Sequence, residues 1–296
     1  MKNYLYKIML ATLILMSTTV VNAANEVYYV NKNNIEMTEE EYNSLQSLGF
    51  TEKYINRMEK EEFLANKDLD ATLLSTSKKY VKVTTMMRNG IEITTSSEIT
   101  EEEYNELQEN IVPNRGPSGN FYDGMVVVGS FTMTASIAAI GNIYMRYMNN
   151  VEWSSDLANK HHDIIGIGIE YNKVQLASVA VLNEHWDATD GSSGGTGVCA
   201  PKYVGSGALA VFELPSVPVQ YVDVAFYFNV RKQSNVGTIT SLYAVGDYAH
   251  ASSDVTPSNL LSHISISDTT GITIDSTYSA YFTNMPEATA SFIGTW

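Results

Sequence analysis

The stretch that decides the fold is residues 221–231, which read YVDVAFYFNVR. Its strongly apolar side chains occupy every second position, and most positions between them carry polar or tyrosine side chains. This period of two is the pattern of a β-strand, whose successive side chains point to opposite faces. The apolar set is Val222, Val224, Phe226, Phe228 and Val230, and the intervening set is Asp223, Tyr227, Asn229 and Arg231. The sequence therefore predicts a long strand with one face in a core and one face in solvent.

Further strand signals surround this one through the second half of the chain. Three earlier segments align Met125, Val127, Phe131 and Met133; Ile143, Met145, Tyr147 and Val151; and Ile165, Ile167, Ile169 and Tyr171. Shorter candidates lie at 174–184, 208–214, 237–245, 263–267, 278–283 and 290–296. About nine strands without a convincing helix are typical of an antiparallel β-sandwich, immunoglobulin-like or jelly-roll-like, and a closed barrel is the alternative.

Turn-forming residues mark the start of this β-rich part. Residues 110–123 are rich in Pro, Gly, Asn and Ser, which break regular structure. The sequence therefore predicts a linker at 110–123, a small α+β module at 24–109 and a β-sandwich domain at 124–296.

The predicted α+β module contains an internal repeat. Residues 36–45 (EMTEEEYNSL) and 98–107 (EITEEEYNEL) match at eight of ten positions. Each copy contains the Thr-x-x-Glu capping box that starts a helix, and a hairpin signal precedes each copy. Further helices are predicted from Thr51 and over residues 59–67. Helix capping and the helix dipole explain the three consecutive glutamates in each copy, so these residues do not indicate a ligand site.

The first 23 residues have the features of a secretory signal peptide. Lys2 and Lys7 precede an uncharged, mainly apolar stretch, and Val21-Asn22-Ala23 fits the small-x-small cleavage rule. The apolar stretch is short for a membrane span. No lipid-anchor cysteine follows it, and no wall-sorting signal ends the chain. The sequence therefore predicts a secreted, extracellular protein with no membrane insertion after cleavage.

Composition excludes several classes of protein. The 296-residue chain has 18 basic and 33 acidic residues, a net charge of −15. Without residues 1–23, which hold two lysines, 16 basic residues face the same 33 acidic ones, a net charge of −17. Such an acidic surface does not suit nucleic acid. A hydrophobic content of 44 % excludes a wholly disordered chain, and a single cysteine excludes a disulfide-stapled one.

Three motifs invite a catalytic interpretation, and none satisfies it. Residues 191–195 match G-x-S-x-G, but they lie in a glycine-rich loop rather than between a strand and a helix. Cys199 has no accompanying family signature for a nucleophile. His161 and His162 are adjacent in a predicted strand, so their side chains point to opposite faces and could not easily bind one metal ion. We therefore predict no catalytic residue and no metal-ligating residue.

The best candidate site is the stretch from His185 to Gly191. Trp186 could stack on a sugar or a peptide, or it could belong to the core. Asp187 and Asp190 carry the oxygen ligands that calcium prefers, although their spacing is not that of an EF-hand, and an Asx turn is the simpler interpretation. Tyr227 lies on the face predicted to be in solvent, where tyrosines suit interfaces. The predicted ligand-binding residues are therefore Trp186, Asp187, Asp190 and Tyr227. No cofactor is required, and calcium remains an option.

Two groups of motifs resemble secreted proteins of Gram-positive bacteria. The sequence IEMTEEEY at residues 35–42, with LGFT at 48–51, is similar to their N-terminal module. MNNVEW at 148–153, with HDIIGIG at 162–168, is similar to their β-rich C-terminal domain. The resemblance implies secretion and a two-part layout, and it transfers no activity or site.

These features predict a secreted, non-catalytic binding protein. Its β-sandwich would recognise a glycan, a protein or a cell-surface ligand, and the repeated module would act as a spacer or docking unit. One alternative is a secreted hydrolase whose carboxylates meet only in three dimensions. Another is an extracellular structural or matrix protein, for which an acidic surface would suffice.

Overall fold

The computed structural model describes residues 26–89, 91–110, 126–154, 162–195, 201–252 and 257–296, with Gly124 and Val255. The helices are α1 Glu39–Ser47, α2 Glu52–Ile55, α3 Lys60–Asn66, α4 Glu101–Asn110 and α5 Pro257–Leu260. The first nine strands are β1 Tyr29–Val30, β2 Glu36–Met37, β3 Ala71–Arg88, β4 Ile91–Ile99, β5 Val126–Ile140, β6 Tyr144–Trp153, β7 His162–Ile169, β8 Val174–Leu176 and β9 Val181–Ala188. The others are β10 Ser193–Gly194, β11 Lys202–Val204, β12 Gly207–Glu213, β13 Val219–Lys232, β14 Ser241–Ala251, β15 Ile264–Ser267, β16 Gly271–Ile274, β17 Phe282–Asn284 and β18 Ala288–Ile293.

Two antiparallel sheets form a sandwich. The larger has eight strands in the order β10-β9-β13-β6-β5-β3-β4, with β8 also paired to β13. The smaller has six strands in the order β11-β12-β7-β14-β17, with β18 also paired to β14. The prediction of an antiparallel β-sandwich is therefore confirmed.

Strand β13 lies inside the larger sheet, paired with β6 on one side and with β8 and β9 on the other. Its predicted apolar face, from Val222 to Val230, is buried in the core between the two sheets. Full burial of a valine or phenylalanine side chain contributes about 1.5–3 kcal/mol. The period-two pattern thus identified the inner face of the sandwich correctly.

The central part of the opposite face of β13 is not in solvent, so the prediction is wrong for Asp223 and Tyr227, whereas Arg231 near the end of the strand is exposed. Asp223 and Tyr227 are 0 % and 6 % exposed. The N-terminal helices cover this outer face, where Leu48, Phe50 and Ile55 belong to a second core that includes Tyr227. A strand that is polar on one face can therefore be buried on both faces when another layer supplies polar partners.

Both predicted capping boxes are present. The Thr38 hydroxyl accepts from the Glu41 backbone N–H at 3.2 Å, and the Glu41 carboxylate accepts from the Thr38 N–H at 2.9 Å. In the second copy, Thr100 and Glu103 make the same two bonds at 3.2 and 2.9 Å. The helix predicted over residues 59–67 is α3. The internal repeat thus builds two capped helices, α1 and α4.

The two parts of the chain share the larger sheet. Strand β3 pairs with β5 from Ala71–Ile140 to Met86–Val126, and β4 continues the sheet beyond β3. Of the linker predicted at 110–123, Asn110 is the last residue of α4 and residues 111–123 lie outside the described residues, so the domain boundaries stay a prediction. Strands before and after that segment nevertheless belong to one hydrogen-bonded layer.

Several strands after the linker have different bounds from those the sequence suggested. The candidate at 174–184 is split into β8 and β9, and the one at 237–245 begins and ends later, as β14. The segment at 278–283 contains a 3₁₀ turn over Ser279–Tyr281 before β17. Strands of two to four residues carry too few positions to show alternation.

The β15–β16 hairpin lies against the outer face of the smaller sheet. Gly166 and Gly168 of β7 let it approach, because a Cβ at 168 would overlap the Ser267 carbonyl and lie 2.8 Å from the Asp268 nitrogen. Ile264, Ile266 and Ile272 of the hairpin join a third core there. These two glycines therefore set the distance at which the hairpin packs on the smaller sheet.

The signal peptide predicted at 1–23, His161 and Cys199 lie outside the described residues. Among the described helices, none has the length and apolar character needed to cross a membrane.

Candidate ligand-binding site

The predicted site stretch forms the end of strand β9 and its turn into β10. Trp186 is paired with Gly194, and Asp187 with Ser193. The Asp190 carboxylate accepts from the Ser192 N–H at 2.9 Å and from its hydroxyl at 2.6 Å. Asp190 therefore fixes the turn as an Asx turn.

A cleft of about 240 Å³ opens where this hairpin meets the N-terminal helices. One wall comes from the N-terminal part of the chain and consists of Lys32, Asn33, Arg57 and Glu59. The other wall comes from the β9–β10 hairpin and consists of His185, Trp186, Asp187, Gly191, Ser193 and Gly194. The cleft thus exists only because two distant segments of the chain meet.

Asp187 holds the two walls together. Its Oδ2 accepts from Lys32 Nζ at 2.7 Å and from Arg57 Nε at 2.8 Å. Arg57 Nη2 also lies 2.6 Å from Oδ2 in the same ion pair. The Arg57 guanidinium also lies over the Tyr221 ring, 3.6 Å from its centroid. Burial opposes ionisation of Asp187, but its bonds to Lys32 and Arg57 outweigh that effect and lower its pKa. The ion pair is therefore formed at neutral pH.

A buried charged cluster underlies the cleft. His185 Nδ1 lies 2.8 Å from Asp223 Oδ1, and its Nε2 lies 3.3 Å from Glu62 Oε2. Burial disfavours the charged ring, but hydrogen bonds to the two carboxylates outweigh it and raise the pKa of His185 to about 10. Burial raises the pKa of Asp223 to about 6, so at neutral pH the pair is imidazolium and carboxylate.

Further contacts from the helices complete this cluster. Glu62 accepts from the Tyr54 hydroxyl at 2.5 Å and from Asn183 Nδ2 at 2.6 Å. The Thr51 hydroxyl donates to Glu152. Glu152 lies in a strand and is 3 % exposed. The polar face of the sheet is therefore matched by polar groups of α2 and α3.

A second polar network lies inside the sandwich at the same end. Asp163 accepts from the Tyr248 hydroxyl and from the Ala251 N–H, and His250 Nδ1 lies 2.9 Å from it. Trp153 Nε1 donates to the Tyr248 hydroxyl at 3.2 Å. These groups are buried, so they join β6, β7 and β14 across the core rather than facing a ligand.

The described residues contain no group of three or more His, Cys, Asp or Glu side chains placed to hold a metal ion. The proposed calcium ligands have other partners. Asp187 binds two cationic side chains, and Asp190 binds the backbone and hydroxyl of Ser192. Carboxylates already compensated by cations bind calcium poorly.

The structure separates the four predicted ligand-binding residues. Trp186 and Asp187 line the cleft, although most of Trp186 packs against the main core. Asp190 lies in the adjoining turn. Tyr227 lies beneath the helices, with Phe50 edge-on at 5.7 Å and the Arg146 guanidinium 4.6 Å from its ring centroid. The exposure on which the Tyr227 prediction depended is therefore absent.

Lys32, Asn33, Arg57 and Glu59 were not predicted as site residues. They lie in turns and helix ends more than 120 positions before Asp187 in the chain, as the Lys32–Asp187 and Arg57–Asp187 bonds show. One feature of the sequence could have indicated that Asp187 has a distant cationic partner. An aspartate at the end of a strand, in a part of the chain poor in lysine and arginine, needs a cation from elsewhere.

No protein-family model matches the chain, and no curated protein matches it in sequence. A solved structure with some similarity is the collagen-binding domain of the surface protein RspB from Erysipelothrix rhusiopathiae. The TM-score is 0.28 and the sequence identity 6 %, with 58 % of this chain and 72 % of that chain covered. Similarity at this level supports no transfer of function.

Proposed function

We propose that this chain is an exported, non-catalytic binding protein of the extracellular space. Its ligand site is the cleft between the β9–β10 hairpin and the segment from Lys32 to Glu59. The β-sandwich is the scaffold, and Lys32, Asn33, Arg57 and Glu59 of that segment form one wall of the site. Its ligand is a glycan, a protein or a cell-surface component.

One observation carries this proposal. Trp186 and Asp187, selected from the sequence as ligand-binding residues, line a concave and largely polar cleft at the end of a rigid sheet. Clefts with a few fixed polar groups and an aromatic edge are the usual form of a ligand site. Asp187 is held by one hydrogen bond from Lys32, one from Arg57 and ion pairs with both, so the site is preorganised.

A hydrolase fits the geometry less well. The structure does assemble carboxylates from distant parts of the chain, namely Glu62 and Asp223. Both carboxylates contact His185, and Glu62 and Asp223 are only 8 % and 0 % exposed. The two carboxylates of a glycosidase, by contrast, flank a substrate in an open cleft. An inert matrix protein needs no preorganised cleft.

Export is part of the proposal. Residues 1–23 carry the basic, apolar and small-residue regions of a signal peptide. We expect mass spectrometry of the exported chain to find Ala24 as its first residue. A chain that keeps residues 1–23 would contradict the signal-peptide assignment.

The Ser193→Trp substitution tests the cleft as the binding site. Ser193 is exposed and lines the cleft, so an indole there fills the space without disturbing the core. The purified chain would be titrated against immobilised cell-wall polysaccharides, oligosaccharides and extracellular-matrix proteins. We expect saturable binding to one of these classes and at least a tenfold loss, about 1.4 kcal/mol, in the variant.

Ser265→Trp is the matched control, because Ser265 is exposed on β15 and does not line the cleft. We expect it to bind as the parent chain does. Equal binding by the parent and both variants would move the ligand site elsewhere on the protein.

A further inference from the structure

The chemistry of the cleft walls identifies a narrower ligand class. Resting on the function proposed above, we propose that the cleft takes a neutral sugar ring, held by its hydroxyl groups, rather than an anionic glycan or a charged peptide.

The charges of the cleft walls balance. Lys32 and Arg57 supply two positive charges, and Asp187 and Glu59 supply two negative charges. Both cations already bind Asp187. Beneath them, the His185 imidazolium lies between two carboxylates, so it gives the cleft no free positive charge. An anionic ligand would approach Glu59 and would have to compete with Asp187 for Lys32 and Arg57, and desolvating an incompletely compensated charge is costly.

The free hydrogen-bonding groups of the cleft are mainly acceptors. Among the described residues, Asp187 Oδ1, the Glu59 carboxylate and Asn33 Oδ1 receive no hydrogen bond. Asn33 Nδ2, by contrast, donates to the carbonyls of Arg57 and Met58. An acceptor-rich and electrically balanced wall calls for a neutral ligand rich in donors. A ring of vicinal hydroxyls meets that requirement, because each hydroxyl donates one hydrogen bond and can also accept.

The cleft has fewer free hydrogen-bond donors than acceptors, and these donors can bind the hydroxyl oxygens of a sugar. Lys32 uses one N–H on Asp187 and is half exposed, which leaves further donors for a ligand. The Ser193 hydroxyl has no partner among the described residues. The Trp186 indole N–H is likewise unpartnered there, but it is buried and so offers a ligand no accessible donor.

The size and shape of the cleft favour one ring rather than a folded epitope. Its volume of about 240 Å³ is below the usual range for a drug-sized ligand, roughly 300–1,000 Å³. Gly194 lies against the indole, since a Cβ there would be 2.7 Å from Cζ2 of Trp186. The hairpin backbone thus packs directly on the indole, and both line a cleft too small for a folded epitope.

The test is a titration of the full chain against three sets of probes. The first contains neutral oligosaccharides (gluco-, manno-, xylo- and chito-oligomers). The second contains uronate oligomers and teichoic acid, and the third contains basic, acidic and neutral peptides. We expect binding of a neutral oligosaccharide that Ser193→Trp weakens at least tenfold and that 0.5 M salt changes little, because no net charge is exchanged.

Glu59→Ala and Glu61→Ala form the matched pair of variants. Both glutamates are exposed, and only Glu59 lines the cleft. Loss of a charged acceptor should weaken neutral-sugar binding about tenfold or more in Glu59→Ala, and Glu61→Ala should bind as the parent does.

The outcomes separate the two proposals. Cleft-dependent binding of anionic probes or peptides alone would overturn the neutral-sugar assignment and leave the proposed function standing. Binding that Ser193→Trp does not affect would overturn the cleft as the site. Absence of binding to every probe at millimolar concentration would overturn both.

Discussion

The Gly168→Ala substitution is expected to lower the free energy of unfolding by about 3 kcal/mol, the upper part of the range for overpacked sites. A Cβ at this position of β7 would overlap the Ser267 carbonyl group, which belongs to the backbone of the β15–β16 hairpin. A flexible side chain could rotate away, but the hairpin can yield only by moving as a whole. That movement would open the third core around Ile264, Ile266 and Ile272. Urea unfolding monitored by tryptophan fluorescence measures the change.

Gly237→Ala is the control for this prediction. A Cβ at 237 would meet nothing within 4 Å, and the backbone there has no positive φ. We expect a change within about 0.5 kcal/mol, or slight stabilisation through the unfolded state. A Gly168→Ala protein as stable as Gly237→Ala would show that the hairpin is not packed against β7 as described.

The His185→Leu substitution is expected to destabilise the fold by about 3–5 kcal/mol, the usual cost of breaking a buried ion pair by removing one partner. Leucine fills a similar volume, but it leaves Asp223 and Glu62 without the imidazolium between them. Asp223 is fully buried, and without His185 it would lose the counterion that keeps it ionised, so the carboxyl would have to take up a proton or remain charged in the core. The loss should appear as a lower midpoint of urea unfolding at pH 7.

The pH dependence of this loss has a definite sign. The pKa of His185 is raised from 6.5 to about 10 in the folded protein. A raised pKa of a base stabilises the fold fully below the unfolded-state value, and the stabilisation disappears as pH rises through the folded-state value. The stability difference between the parent and His185→Leu should therefore shrink between pH 6.5 and pH 10. A difference that stays constant over this window would rule out a charged His185.

His263→Leu is the matched control for His185→Leu. His263 Nδ1 lies 2.5 Å from Asp275 Oδ2, a close pair similar to that of His185 with Asp223. This pair is exposed, with 33 % and 46 % of the two side chains accessible. Exposed ion pairs contribute about 0–1 kcal/mol, so the control should change stability little. Equal losses of stability in the two variants would show that the buried cluster contributes no more to stability than an exposed ion pair does.

Local features of this fold could be predicted from the sequence because their causes lie within a few residues. The capping boxes of Thr38 and Thr100 depend on a glutamate three positions later. The inner face of β13 depends on alternation within one strand. Trp186 and Asp187 lie in a cleft because a strand ends there in a turn, and a glycine-rich turn is visible in the sequence.

Features that depend on distant partners could not be predicted in this way. Asp223 and Tyr227 alternate with apolar residues just as solvent-facing residues do, and only Glu62, Phe50 and the other covering residues make them buried. Nothing near Lys32 or Arg57 indicates that Asp187 is their partner. A polar position in a strand thus identifies the face that is not the main core, but it does not say whether water or another layer of protein covers that face.

The pairing of β3 with β5 also bears on the order in which the chain is made. During synthesis the earlier segments emerge first, and long strands with an open edge are the ones that associate wrongly. Here β3 and β4 precede β5, so the partner for the fifteen residues of β5 is already present when β5 emerges. The order of strands along the chain therefore shortens the time during which this long edge is open to other chains.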